Sequence, residues 1–430
     1  MSAKRVFVKS YGCSTNQADG ETLSGCLTAA GFGIVDSELE ADVLVYNCCA
    51  VKGPTENRMF QVLKKAPKNK LLIVAGCLPL ICYDRLLREI QFDGVVGAGA
   101  GMRITDVIER ALNGEHVVAL DNSIAVKPEL ALPRLKSNPV TSVVPVSYGC
   151  LGACAYCCVV FARGRLRSCT TDEITTRIRA DLDAGTREFW LTSQDVACYG
   201  RDIQTNLPNL LKAICMLPGD FRVRVGMMTP NLAQDMLSEL VAAFKDAKIF
   251  KFLHLPVQSG DNSVLQGMRR CYTVEEFKEI VRVFRRDFPM ITLATDVICG
   301  FPGETREAFK ETLALIDDVK PDVVNVSKFF PRPGTFAAGM SDVVEPAEVK
   351  LRSTEMSWLA KRIALRQNQR WVEWTGEILV DEKGKTPGSW IGRNFAYKPV
   401  AVTSSLDLLG KVSRVQIVKA FSTYIAAEIR

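Results

Sequence analysis

The chain has 430 residues, 47% of them apolar and 24% charged, with 54 Lys+Arg against 48 Asp+Glu. At roughly 100–200 residues per domain, that length holds two to four domains with real cores. The apolar fraction excludes a disordered chain, and the mild basic excess is compatible with a nucleic-acid partner without requiring one.

The opening segment MSAKRVFVKSYG has neither a long apolar run nor a small-residue cleavage site, and no uncharged stretch reaches ~18 residues. The expectation is a cytoplasmic protein with no membrane segment. Disulfides are rare in that compartment, so fifteen cysteines, an odd number, point to metal or catalytic use.

In chain order, RVFVKSYG, DVLVYNC, KLLIVAGC and GVVGAG read as strands separated by helical patterns over ADGETLSGCLTAAG, 55–66 and ITDVIERALNG. That alternation predicts a parallel α/β domain over 1–120. Ligands gather at the carboxyl ends of parallel strands, and three of these ends carry Cys13, Cys49 and Cys77. Residues 121–140 contain prolines and little periodicity and read as a linker. Over 141–345, SVVPVSYG, EFWLTSQD, RVRVGMM, FLHLPVQ, TLATDVICG and DVVNVSKFF alternate with helical patterns. Six βα units of this kind predict an open or partial (β/α)6 barrel. Cys150, the run Ser193-Gln194-Asp195, Gln258 and Gly300 all follow strand ends there. A linking helix is expected over 346–368, with Pro346 in its first turn. Residues 369–430 break into short strands split by Gly and Pro, the pattern of a small all-β barrel. From Gln367 onward nine Lys+Arg face six Asp+Glu, a basic balance suited to RNA phosphates. Trp371, Trp374 and Trp390 there read as core or hinge packing more readily than as base-stacking platforms.

The densest chemistry lies in GCLGACAYCCVVFARGRLRS, residues 149–168. Cys150, Cys154 and Cys157 are spaced C-x3-C-x2-C, and Cys158 follows at once. Thiolates suit zinc and iron–sulfur clusters. Three ligands leave one iron of a [4Fe–4S] cluster open. A structural zinc would need a fourth ligand, but adjacent cysteines rarely share one ion, and the only histidines are His116 and His254.

C-x3-C-x-aromatic-C after the first barrel strand, with Tyr156 in the aromatic slot, resembles the motif of radical S-adenosylmethionine (SAM) enzymes. The resemblance implies that SAM chelates the open iron and is cleaved to a 5'-deoxyadenosyl radical, with an external ferredoxin or flavodoxin-like donor supplying the electron. YGCSTNQADGE, NCCAVKGPTENR, VAGCLP, HLPVQSGDNSVLQGMRRCYT, DVICGFPGET and FFPRPGT further resemble the methylthiotransferase branch, with an RNA-binding TRAM barrel at the end. That branch implies a second [4Fe–4S] cluster on Cys13, Cys49 and Cys77, with Cys49 rather than Cys48 and Cys157 rather than Cys158 as ligands. Cys48 and Leu80 depart from the family pattern. The remaining nine cysteines read as small buried hydrophobes.

GCLGACAYC…FARGRLRS, LTSQD…YGRD and CSTNQADGE most resemble the archaeal and eukaryotic type, which implies thiomethylation at C2 of N6-threonylcarbamoyladenosine at position 37 of tRNA. The resemblance places SAM contacts at Tyr156, Gln194, Asp195, Gln258, Ser259, Ile298 and Gly300, and substrate contacts at Arg163, Arg165 and Asn16. Arg163, Arg165 and Arg167 are candidates for a phosphate or for the threonylcarbamoyl carboxylate. His254 remains unassigned. A monomer is expected. Two other readings stay open at this point: a methylthiotransferase acting on an aspartate of a ribosomal protein, and a zinc-stabilised RNA-binding protein without catalysis.

Overall fold

A computed structural model describes residues 3–50, 53–120 and 127–430. Val51 and Lys52 of the NCCAVKGPTENR block, and residues 121–126 of the expected linker, lie outside the described residues.

The N-terminal strands are almost uninterrupted apolar runs, the pattern of a parallel sheet covered on both faces. Six parallel strands lie side by side in the order Gly33–Val35, Arg5–Tyr11, Val43–Cys48, Leu71–Gly76, Gly94–Gly97 and Val117–Ala119. Leu44, Tyr46 and Phe60 pack on one face; Val45, Ile73 and Ile104 pack on the other. Four of these strands are expected from sequence; the two three-residue outer strands are too short to carry a periodic signal. The strand order turns back between Arg5–Tyr11 and Val43–Cys48. Cys13 and Cys49 follow those two strands, so they flank the crevice where open α/β sheets bind ligands.

Six parallel strands also form the central unit. Arg222–Val225, Glu188–Thr192 and Thr141–Pro145 make one three-stranded sheet, and Phe252–His254, Thr292–Cys299 and Val323–Lys328 make the other. A parallel bridge between Val223 and Ile249 joins them. Among the described residues nothing pairs Thr141–Pro145 with Val323–Lys328, so the barrel is open, as expected. Alternate residues divide the two faces. Phe189, Leu191, Val223 and Val225 pack toward the helices, whereas Trp190, Arg224 and Asn325 face the lumen. The helical pattern over 231–246 is two helices, Pro230–Gln234 and Leu237–Phe244, with Met236 between them outside helical geometry.

The segment around 127–137 is a strap rather than a free linker. Leu130 is buried in the barrel core, Arg134 binds Asp181 (2.8 Å), and the Leu135 N–H donates to the Glu21 carbonyl (2.9 Å). After the helix Pro346–Gln369 the chain closes a five-stranded barrel from Thr375–Lys383, Ser389–Arg393, Pro399–Thr403, Ile425–Ile429 and Val412–Ala420. Trp371 and Trp390 lie in its core. Lys398 enters the seam between the two barrels, with Nζ 2.6 Å from Asp322 and 2.7 Å from Asn368. Tyr397, at φ +60°, sets its ring 4.9 Å from Phe250 and 5.2 Å from Phe252.

Glu188 lies in the same seam. Burial and the nearby Asp381 push its carboxyl up to about 8. A carboxyl raised in the folded state binds more protons than it does unfolded, so its contribution to stability is full at low pH and is lost as pH rises through about 8. Thermal unfolding followed from pH 6 to pH 9 should show stability falling with pH, and Glu188→Gln should flatten that slope.

Candidate active site

The strand Thr141–Pro145 and the short hairpin Ser147–Tyr148 with Arg167–Ser168 deliver the cysteine loop to the top of the barrel. Gly149, at φ +78°, makes the turn; a Cβ there would strike the Arg165 carbonyl. Its N–H donates to Gln194 Oε1 (2.6 Å), tying the loop to the end of the second barrel strand. The loop then runs without regular structure to the helix Val159–Arg163, held by the Ala155 N–H on the Met268 carbonyl (2.9 Å).

All three thiols of the loop are free. A Cβ built on Gly152 would stand 3.3 Å from Cys150 Sγ and 3.6 Å from Cys154 Sγ, so the glycine keeps the space between those sulfurs open. The Gly152 N–H donates to Cys150 Sγ (3.2 Å), and Arg270 Nη1 donates to Cys154 Sγ (3.0 Å). Both bonds suit a sulfur that carries negative charge as a ligand. Burial and Asp195 push the Cys150 thiol up to about 11, and burial and Cys154 push Cys157 up to about 12. Ligation must therefore release their protons. A cubane cluster would bind each cysteine to a different iron, and a set of three thiolates with a glycine-cleared space between two of them suits such a group.

Around this loop the structure gathers most of the expected SAM residues. Tyr156 meets Phe301 edge-on at 6.5 Å. Asp195 is 2% exposed, and its Oδ1 accepts from the Ala197 N–H (3.0 Å) and the Thr229 N–H (3.2 Å). Gln258 adopts φ +71° and bridges Val297, which brings it beside Ile298. Left-handed backbone at a non-glycine residue is strained, and such strain collects at ligand sites. Gly300, at φ +79°, gives its N–H to Glu304 (2.7 Å) and lies against Val349, where no Cβ would fit. Ser259 differs from these: it is fully buried, with its hydroxyl 3.3 Å from that of Thr312, so it braces the turn from behind.

The second trio lies on the N-terminal sheet. The Cys49 N–H donates to the Tyr11 carbonyl (3.0 Å) and the Cys77 N–H to the Cys48 carbonyl (3.0 Å), which keeps the ends of the three strands level. Cys13 caps the helix Ser14–Ala29 at the same edge and is close enough to raise the Cys77 thiol electrostatically; burial raises it most. Cys48 is fully buried in the core on the other side, with its thiol pushed well up by burial.

The three arginines after the loop diverge. Arg163 is 4% exposed and binds Asp19 (2.6 Å) beside Cys77 and Cys13. It joins the two units. Arg167 Nη2 donates to the Arg163 carbonyl (2.7 Å), and Arg165 is exposed. Asn16 is also buried, with Nδ2 on Asn47 Oδ1 (2.7 Å) and its own Oδ1 without a partner among the described residues. Two groups at the site were not singled out from sequence. Arg270 is legible only as part of the block MRRCYT. Arg332 crosses from the barrel to Glu56 and to Cys82 Sγ (3.5 Å) on the N-terminal unit, and it contacts Cys158.

Residues 144–316 match the model of the Radical SAM superfamily, and residues 5–97 match the model described as Uncharacterized protein family UPF0004. The open barrel and its cysteine loop are thus those of a radical SAM enzyme. A protein of Pyrococcus abyssi called a probable threonylcarbamoyladenosine tRNA methylthiotransferase is 41% identical over 427 residues, covering 99% of both chains. The human threonylcarbamoyladenosine tRNA methylthiotransferase is 35% identical over 431 residues, covering 96% of this chain and 72% of that one. The chain belongs to the threonylcarbamoyladenosine tRNA methylthiotransferase family. Among solved structures, a radical S-adenosylmethionine methyltransferase, TsrM, from Kitasatospora setae, with a tryptophan substrate and a SAM analogue bound, matches with a TM-score of 0.58 at 13% identity, over 79% of this chain and 75% of that one. At that identity the likeness is one of fold.

Cysteine variants separate ligands from neighbours. Cys157→Ser and Cys49→Ser should each lower iron content by about half, the outcome expected of two trios that would each hold one four-iron cluster. Cys158→Ser and Cys48→Ser should leave it unchanged. Iron and acid-labile sulfide assays on anaerobically purified protein check this.

Proposed function

We propose that this chain adds a methylthio group to C2 of N6-threonylcarbamoyladenosine at position 37 of tRNA. The observation that carries the reading is relatedness along nearly the whole chain, at 41% and 35% identity, to an archaeal and a human protein of that name. The two cysteine trios, Cys150, Cys154 and Cys157 on the barrel and Cys13, Cys49 and Cys77 on the N-terminal sheet, support it. In this reading residues 1–120 hold the auxiliary cluster, 141–345 the SAM cluster and 369–430 bind RNA, with 121–140 and 346–368 connecting them.

Cys150, Cys154 and Cys157 would hold one [4Fe–4S] cluster beside SAM, and Cys13, Cys49 and Cys77 would hold a second. When bound, these groups supply hydrogen abstraction from an unactivated C–H and the sulfur and methyl of the product. The protein's own residues orient and shield. Asp195 and Gln194 take the SAM amino end, the Gln258 turn the ribose, the Ile298–Gly300 backbone the adenine, and Tyr156 walls the pocket. Arg270 keeps a positive charge on Cys154, which favours the electron-rich cluster. Arg163, paired with Asp19, does the same beside Cys77 and holds the two trios at a constant separation. Arg165 remains exposed for a tRNA phosphate. The electron comes from an external ferredoxin or flavodoxin-like protein, and the enzyme acts as a cytoplasmic monomer. No helix among the described residues is long and apolar enough to cross a membrane.

Reconstituted protein with SAM, dithionite and tRNA bearing N6-threonylcarbamoyladenosine should yield the 2-methylthio nucleoside in a nucleoside digest, with about eight irons per chain. A methylthiolated ribosomal protein with unchanged tRNA would overturn the substrate, and bound zinc without iron would overturn the chemistry.

A further inference from the structure

Below the SAM rim the open lumen holds a guanidinium that no role above accounts for. Arg224 pairs in register with Trp190, and its guanidinium carbon lies 5.3 Å from the ring centre of Trp190, 5.0 Å from Phe252 and 5.2 Å from Tyr397. Three aromatic walls fix the plane of the fork and leave its edges for a planar anion. Arg224 Nε is buried without a hydrogen-bond partner among the described residues.

Asp381 binds Arg393 (3.0 Å), and Glu188 Oε1 accepts from Trp190 Nε1 (2.5 Å). Glu188 Oε2 and Asp381 Oδ1 have no hydrogen-bond partner, and no ion pair joins Arg224 to either acid among the described residues. Burial and Asp381 push the Glu188 carboxyl up, and the charges of Arg393 and Arg224 only partly offset that rise. Higher in the lumen, Asp296 Oδ1 accepts from Asn325 Nδ2 (2.6 Å) and lies 3.2 Å from His254 Nε2. Asn325 and Val323 on the free edge strand are exposed, so the lumen is open to solvent. The lumen thus combines an edge open to solvent with an oriented guanidinium that no carboxylate pairs with among the described residues.

We propose that Arg224 binds the carboxylate of the N6 side chain of the substrate base. The inference rests on the substrate proposed above and deepens it. C2 and C6 belong to the same six-membered ring, with N1 between them, and C6 carries the exocyclic N6. A base presenting C2 to the rim therefore carries its side-chain carboxylate a few bond lengths away, inside the barrel. By strand rise Trp190 and Arg224 lie roughly 10 Å below the rim, at about 3.3 Å per residue. A substituted purine together with the arginine's own stem covers that depth. A neutral N6 substituent would leave the guanidinium buried without an anion, so the same contact that accepts an acidic side chain rejects an apolar one.

The test pairs a residue change with a substrate change. Synthetic anticodon stem-loops carry either the threonylcarbamoyl acid or its carboxamide. Binding is read by anisotropy of labelled RNA and turnover by mass spectrometry, with the reconstituted full-length protein. Wild type should favour the acid by about a hundredfold, the order expected when a charge-assisted hydrogen bond is replaced by a neutral one. Arg224→Gln should bind acid and amide equally, with iron content and substrate-free SAM cleavage unchanged. Should Arg224→Gln lose its fold, Arg224→Lys keeps the charge and stem between the rings, and its acid preference should still fall below that of wild type. A preference undiminished in the folded variant, or absent in wild type, overturns the inference. Acid-selective binding by wild type without methylthiolation would overturn the proposed reaction and leave the anion subsite standing.

Discussion

The buried pair of Arg163 and Asp19 is the constraint on which the rest of the arrangement depends. A guanidinium this deep is tolerated only with a compensating charge, and removing either partner would leave an isolated ion in a low-dielectric interior. The arginine comes from the helix that follows the cysteine loop of the barrel; the aspartate comes from the helix that starts at Cys13 on the N-terminal sheet. That interaction therefore helps to set the separation of two cysteine trios carried by different folding units. Arg332 with Glu56 repeats the device on the other side of the loop, and Thr15 with Thr192 adds a neutral contact (3.3 Å) between the same units.

The same logic runs down the barrel axis. At the top, cations beside the cysteine sulfurs stabilise electron-rich ligands. In the middle, His254, Asp296 and Asn325 share one carboxylate oxygen. At the floor, Arg224 stands among rings, and Tyr397, delivered by the C-terminal barrel, closes one wall. That small barrel is therefore more than an appended RNA platform: Lys398, held by Asp322 and Asn368, keeps Tyr397 in place and makes the lumen's lower boundary a product of two units.

Much of this was legible in the sequence, for identifiable reasons. Parallel strands buried on both faces announce themselves as apolar runs, and the βα alternation left little choice of architecture. The cysteine spacings report on loops whose function needs that spacing. What stayed hidden was side-chain direction. FARGRLRS reads as a single basic run, yet Arg163 enters the interdomain core, Arg165 faces solvent and Arg167 caps a carbonyl. Ser259 sits in a motif at a strand end and still faces away from the pocket. Arg224 was invisible because RVRV reads only as a strand; its meaning comes from rings contributed by residues 190, 252 and 397.

The sequence by itself determined the three-part architecture and the C-x3-C-x2-C loop, because local periodicity and short-range spacing encode them; the choice of Cys49 over Cys48 and of Cys157 over Cys158 came from the resemblance to the methylthiotransferase branch. Tertiary structure alone decided which charges face one another. Asp19 and Arg163 are 144 residues apart, and Glu56 and Arg332 are 276 apart. Pairings over such distances depend on how whole units dock, a property of packed surfaces that no window of sequence contains.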